Sequence, residues 1–360
     1  MKIIFKTKSW CIDNLKNEVS KYFKTECFKE LTSTLVEIER DKFDIENMYD
    51  FLYYSRFCVD FYLFVDKFEK IAEYNTISNK DLINNKFNLN YSVDFKSSNT
   101  NYLKNNLESH FGSLIKQANK NFKVNLDKPD IVFEVEVINS SLYLLLKLNK
   151  KPIYKRDYKI NTNSNSINSI VVNYLLDNMD IDLSKDISFI DPLANLGDMI
   201  IESSYYVNKN PLNIRDRFVN PISSFFGIDG HMPKKKDSYG RFTAVVQNNK
   251  IFKDLKENLN FSKNKVRPSQ FELDWLDVKF EKDEFKYAVS LLPSFRDLSD
   301  YDITQDSLFY QLEHIISDKI GIISRSELDK SILKKHKIKQ ISSENVLVGE
   351  QNYFIYILGF

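Results

Sequence analysis

Three acidic side chains close short apolar-rich runs in the second half of the chain: Asp191 after Ile187–Ile190, Asp229 after Phe225–Ile228 and Asp274 after Phe271–Leu273. A fourth run, Tyr287–Leu291, leads into Leu292-Pro293-Ser294-Phe295. The first of these is the most informative. Ile187–Ile190 reads as a buried strand that Asp191-Pro192 stops, and Asn195 and Gly197 can both take the positive φ of a sharp turn. From Met199 the sequence runs as a helix. A strand, a tight turn and a helix start collect free N–H groups and the positive end of the helix dipole, which suits a nucleotide-type cofactor.

The surrounding pattern supplies the elements that would position this turn. Ile167–Met179 is a helix before the opening strand, and Phe225–Asp229, Phe271–Trp275 and the Tyr287 run are further strands. Thr243–Asn260 is helical, with Ile251, Leu255 and Leu259 at four-residue steps. Asp306–Lys319 and Glu327–Lys335 are helices around a strand at Ile320–Ile323. Lys339–Ile341 and Gln351–Leu358 form a closing antiparallel hairpin.

The first half reads differently. Lys2–Lys6, Leu35–Glu39 and Cys58–Val65 are strands separated by helices at Asp13–Phe23 and Ile45–Tyr54, a small ferredoxin-like α+β order. A strand at Phe87–Val93, a helix at Leu103–Phe122 and a hairpin of Ile131–Val137 with Leu142–Leu148 follow. The polar stretch Asn161–Ser169 marks a boundary. Three domains are expected, over 1–65, 66–160 and 161–360.

At 360 residues, with 51 Lys+Arg against 50 Asp+Glu, the chain has no global field to draw it onto nucleic acid, so any such contact needs a local basic face. Cys11, Cys27 and Cys58 form no CxxC pair and are odd in number, which reads as reduced core thiols in the cytoplasm. No metal site, membrane span or signal peptide is read.

The stretch around Asp191 resembles the first motif of class I RNA methyltransferases that carry a THUMP domain, Asp-Pro-x-Cys-Gly-Ser-Gly-Thr followed by Ile-Glu. Asp191, Pro192, Gly197, Ile201 and Glu202 match, while Ala194, Asn195, Leu196 and Asp198 depart. Pro129–Lys159 resembles the end of a THUMP domain: Pro129-Asp130-Ile131 is similar to the family's entry to the Ile131 strand, and Lys155-Arg156-Asp157-Tyr158-Lys159 resembles its closing Lys-Arg-Gly-Tyr-Arg. Gly227-Ile228-Asp229 resembles the family's Gly-x-Asp, and Leu292–Phe295 stands where the family has Asn-Pro-Pro-Tyr or Asp-Pro-Pro-Tyr.

The resemblance spans nearly the whole chain and implies α/β plus α+β architecture: a ferredoxin-like and THUMP module, then a Rossmann-like methyltransferase domain ending in the hairpin. It implies S-adenosylmethionine (SAM) at Asp191, Asn195, Gly197 and Asp198, with Asp229 on the ribose, Asp274 on the adenine amine and Trp275 stacking beside it. Asn195 and Leu196 place side chains where the family has bare backbone, and Asp198 is expected to repel the cofactor carboxylate. It implies structured RNA, tRNA or rRNA, as partner, met by Lys116, Lys120, Lys123, Lys155, Arg156 and Lys159. In the catalytic turn Pro293 and Phe295 match, Ser294 replaces a proline, and Leu292 replaces the acceptor that orients the exocyclic amine of the target base. The expected function is RNA binding with methyl transfer to guanine N2 weak or lost. An active RNA methyltransferase and a non-catalytic scaffold are the alternatives.

Overall fold

The computed structural model describes residues 1–42, 44–69, 75–84, 86–96, 101–184, 186–212, 221–228, 233, 239–246, 249–263, 267–270, 280–292 and 298–360. Two compact units divide the chain: Met1–Tyr154 with Asn213–Pro233, and Lys155–Leu212 with Lys234–Phe360.

The first unit contains, in order, β1 (Lys2–Lys6), α1 (Ile12–Phe23), β2 (Lys29–Thr32), β3 (Leu35–Glu39), α2 (Ile45–Tyr54), β4 (Asp60–Phe68), α3 (Lys80–Ile83), β5 (Asn90–Lys96), α4 (Asn101–Ala118), β6 (Lys123–Val124), β7 (Ile131–Ile138) and β8 (Ser141–Lys147). Leu15, Val19 and Phe23 bury one stripe of α1, as their spacing predicts. Phe51 of α2 meets Phe5 and Phe61 edge to face, with centroids 5.0 Å (Phe5–Phe51) and 5.5 Å (Phe51–Phe61) apart, and fixes α2 on the sheet. The sheet order is β2-β3-β1-β4-β8-β7-β5-β6. β4 crosses the expected limit at residue 65 and pairs antiparallel with β8, so one sheet spans both expected N-terminal domains.

The second unit contains α5 (Ser169–Asn178), β9 (Ser188–Asp191) and α6 (Asp198–Asn208). The chain then returns to the first unit, where α7 (Pro221–Phe226) lies, before β10 (Arg241–Val246), α8 (Asn249–Ser262), β11 (Arg267–Gln270), β12 (Phe285–Leu291), α9 (Leu298–Ile315), β13 (Ile316–Ser324), α10 (Lys330–Lys335), β14 (Lys339–Val348) and β15 (Gln351–Gly359). Its sheet order is β11-β10-β9-β12-β13-β15-β14, parallel except at β15 and β14. Phe189 pairs with Tyr287 and Ile190 with Ala288, so the Asp191 run and the Tyr287 run are neighbours in one sheet.

One predicted strand is corrected. Phe225-Phe226-Gly227-Ile228 does not form the strand after the Asp191 turn. Pro221 opens a helix there, a position that a proline without an N–H suits. Gly227, at φ +64°, ends it by donating its N–H to the Ser223 carbonyl. The glycine has a second reason to be there: a Cβ would lie 1.9 Å from Phe87 Cζ. The strand beside β9 is Arg241–Val246, whose buried Thr243, Val245 and Val246 suit it better than the helix start expected. Asp229, the expected ribose acid, lies outside the described residues. So do the expected strand Phe271–Trp275, with Asp274 and Trp275, and Pro293, Ser294 and Phe295.

Candidate cofactor and RNA sites

β9 has β10 on one side and β12 on the other, so the order of the parallel strands reverses at β9. A ligand crevice opens at the carboxyl ends of strands at such a switch point. Phe189 fixes the three strands beneath it, stacking on Tyr287 at 4.9 Å and on Phe242 at 5.8 Å.

The turn above Asp191 is held by the chain's own polar groups. Ala194 donates its N–H to the Val245 carbonyl on β10 at 3.0 Å. Asn195, at φ +39°, exchanges amide hydrogen bonds with Asn163 at 2.8 and 3.0 Å. Asn258 of α8 donates to the Leu196 carbonyl at 3.0 Å and also to the Asn161 carbonyl. Gly197, at φ +89°, is the N-cap of α6. A Cβ there would stand 2.5 Å from Leu255 Cδ1 and 3.1 Å from Ile201 Cδ1, so close packing of α8 requires this glycine as well as the turn. Gly197→Ala is expected to cost about 2 kcal/mol from the left-handed backbone and the displaced Leu255. Urea unfolding should show this as a lower midpoint with an unchanged slope.

Three buried acids surround the turn. Asp198 pairs with Lys159 at 2.8 Å and accepts the Ile167 N–H at 3.0 Å. The expected repulsion of a cofactor carboxylate by Asp198 is therefore tempered by its own ammonium partner. Glu202 receives Arg156 Nε at 3.1 Å, the Tyr158 hydroxyl at 2.9 Å and the Asn173 amide at 2.7 Å. Burial alone would raise the Glu202 carboxyl, but the Arg156 guanidinium and Lys159 ammonium outweigh it and hold the group below its ordinary value. Asp191 is different. Burial pushes its carboxyl up to about 8, only partly countered by the Leu193 N–H and the neighbouring Ser290 hydroxyl, while Asp198 adds to the rise. Leu292, at the expected acceptor position, is 1% exposed and belongs to the core cluster with Ile190, Ala288, Leu308 and Ile322.

The expected RNA contacts separate into three kinds. Arg156 is corrected: with both it and Glu202 fully buried in their ion pair, it has no face for phosphate. Lys159 is likewise committed, to Asp198 and to the Ile167 carbonyl. Lys116 is exposed, but its ammonium is engaged in the turn after α4, donating to the Lys120 and Phe122 carbonyls. Lys120, Lys123 and Lys155 are exposed, the first two beside α4 in the first unit and Lys155 at the start of the second. A 690 Å³ groove beside α4 is lined by Tyr91, Val93, Gly112, Ser113, Lys116 and Leu126, among others.

The sequence reading missed Ser290, Asn163, Asn258 and the ion pairs of Arg156 and Lys159. One signal was present: Glu202 lies in a helix whose neighbours Met199, Ile200, Ile201 and Tyr205 leave it no solvent face, so it needs a buried cation.

The strand order, the switch point and the hairpin at β14–β15 define a class I methyltransferase fold, and residues 66–147 match the THUMP domain. The chain thus combines a THUMP domain with that fold. TrmN from Thermus thermophilus superposes over 99% of this chain and 99% of its own, with a TM-score of 0.70 and 13% identity. A Clostridium difficile 630 protein described as a possible methylase gives a TM-score of 0.75 at 14% identity over 99% of this chain and 97% of its own. SMU.472, solved as a complex with SAH, gives 0.72 at 11% identity over 99% and 97%. No curated protein matches the chain by sequence. Among the described residues, no helix is long and apolar enough to cross a membrane.

Proposed function

We propose that the chain is a structured-RNA-binding protein, acting on tRNA or rRNA, that keeps a SAM seat at the end of β9 and in which methyl transfer to guanine N2 is weak or lost. The observation that carries this reading is Leu292. The family's acceptor at this position polarises the exocyclic amine, and here a buried aliphatic side chain packs into the core instead. Losing such a group costs ~2.7–4 kcal/mol, roughly 10²–10³ in rate, when it acts in the transition state.

The seat is supported by the switch-point turn, by the helix start at Gly197 and by the buried Asp191 carboxyl at the end of β9. Bound there, SAM would supply an electrophilic methyl group on a sulfonium. Asp191 and the Gly197–Asp198 backbone would hold it, and Asn195 would narrow the approach. On the RNA side, Lys120, Lys123 and Lys155 are the exposed ones of the six expected contacts not engaged by the chain's own groups in the described residues, and they would meet phosphate.

Two measurements test the reading. With methyl-labelled SAM and bulk tRNA or rRNA, the wild-type chain should transfer no methyl above background, and Leu292→Asn should raise transfer at least about tenfold. Transfer by wild type at ordinary methyltransferase rates would contradict the loss and favour the active enzyme. Gel retardation of tRNA should weaken in Lys120→Ala/Lys123→Ala, and the salt dependence should flatten by about one to two phosphate contacts. No retardation at low salt would favour the scaffold.

A further inference from the structure

The groove between α4 and the outer edge of β5 lies wholly within the first unit, apart from the cofactor turn. β6 covers that edge only at Asn90 and Tyr91. Tyr91 turns its backbone toward β6, and its carbonyl accepts the Asn125 N–H at 2.9 Å. The chain then leaves the sheet in a turn, where Asn125 Oδ1 accepts the Asp127 and Lys128 N–H groups at 3.1 and 3.0 Å. Val93 presents its backbone to the same side as Tyr91, because a strand repeats every second residue. Among the described residues, no group meets the outward N–H and carbonyl of Val93. At Phe95 the edge closes again, since Glu108 of α4 accepts that N–H at 2.8 Å. Backbone groups without partners are rare in native structures, and an open strand edge is a template for another chain.

The walls of the groove suit a peptide. Val124 and Leu126, 60% and 75% exposed, offer apolar contact on one side, and α4 forms the other. Gly112 lies on the α4 side, where a Cβ would approach only Val93 Cγ2, at 3.9 Å. The chain's own packing therefore does not demand this glycine, although glycine inside a helix is destabilising. Its effect is to keep the groove open, at 690 Å³ the size of a ligand cleft. The charge bias is positive. Glu108, the acid of the lining, is committed to the Phe95 N–H and to Lys104, while Lys120 and Lys123 near β6 are exposed cations.

We propose that this groove binds an extended acidic peptide segment of a partner protein, which adds to the outer edge of β5 as a further strand opposite Val93. Main-chain hydrogen bonds then supply affinity, and alternate side chains, directed to Val124, Leu126 and Gly112, supply specificity. A nucleic-acid strand fits less well. Tyr91, the aromatic residue of the lining, is fully buried and gives its hydroxyl to the Gly112 carbonyl at 2.7 Å, so it has no ring face on which a base could stack.

Selection of a phage-displayed library of short linear random peptides on the full chain tests this, with the selected peptides then measured by fluorescence anisotropy. They should alternate apolar residues and carry acidic ones. Methylating alternate backbone nitrogens should abolish binding in one phase and spare it in the other, the signature of an added strand. Gly112→Leu should weaken binding at least about tenfold by filling the groove. The same exchange should leave the urea midpoint unchanged or raise it, since leucine favours a helix over glycine. In the wild-type chain the Val93 amide should exchange its hydrogen quickly when free and slowly with peptide bound. Selected peptides that bind Gly112→Leu as tightly as wild type, or that leave Val93 exchange unchanged, overturn the proposal. An unpaired oligonucleotide of cytidines and adenosines that Gly112→Leu releases, with no selected peptide behaving so, assigns the groove to RNA and also overturns it.

Discussion

Arg156→Ala is expected to lower the stability of the second unit by about 3–5 kcal/mol, because removing one partner of a buried pair leaves the other charge uncompensated. Both side chains are fully buried, and the Glu202 carboxylate would keep only the neutral donors Tyr158 and Asn173 with the more distant Lys159. Thermal or urea unfolding followed by circular dichroism measures the loss. Arg156→Met with Glu202→Leu should recover most of it, since a well-packed apolar pair often replaces a buried ion pair without cost. Under conditions where Arg156→Ala stays folded, its RNA affinity should equal that of wild type, while Lys155→Ala binds more weakly. A stable Arg156→Ala variant with lost RNA binding would reverse the assignment of these two residues.

Asp191→Asn is expected to change how stability depends on pH. The folded wild type holds a proton on this carboxyl up to about pH 8, whereas the unfolded chain releases it near the ordinary value of ~3.9. Between these two values the folded state binds more protons than the unfolded one. Stability from this group is therefore greatest at low pH and falls as pH rises, by at most ~1.4 kcal/mol per unit, levelling off above pH 8. The amide fills the same volume and cannot ionise, so the variant should gain on wild type steadily from pH 5 to pH 8.5. Melting temperatures at those two values measure it. Parallel profiles for the two proteins would show that Asp191 ionises normally in the fold.

Much of this architecture could be read from periodicity. The strands around Phe189 and Tyr287, the helix over Leu255 and the terminal hairpin all fall where apolar spacing put them. The failure at Phe225–Ile228 has a physical cause. A four-residue apolar run fits a buried strand and a short helix equally, and only Pro221 and the tertiary contact of Gly227 with Phe87 decide between them. The site was less legible than the fold. Asp191 and Gly197 were marked by their place in a strand-turn-helix. Arg156 and Lys159 were read as surface cations because their acids lie more than thirty residues away and become neighbours only in the folded chain. Ser290 carries no local pattern at all, since an isolated serine in a strand reads the same whether its hydroxyl is satisfied or not.

The central claim is that a cofactor seat persists at the end of β9 while the residue that would direct methyl transfer has become core. A crystal structure of the full chain grown with saturating SAM tests it most directly. The expected result is cofactor density against the Asn195–Gly197 turn and beside Asp191, with Leu292 still buried. A turn that stays closed by Asn163 and Asn195 with no cofactor beside Asp191 would contradict it.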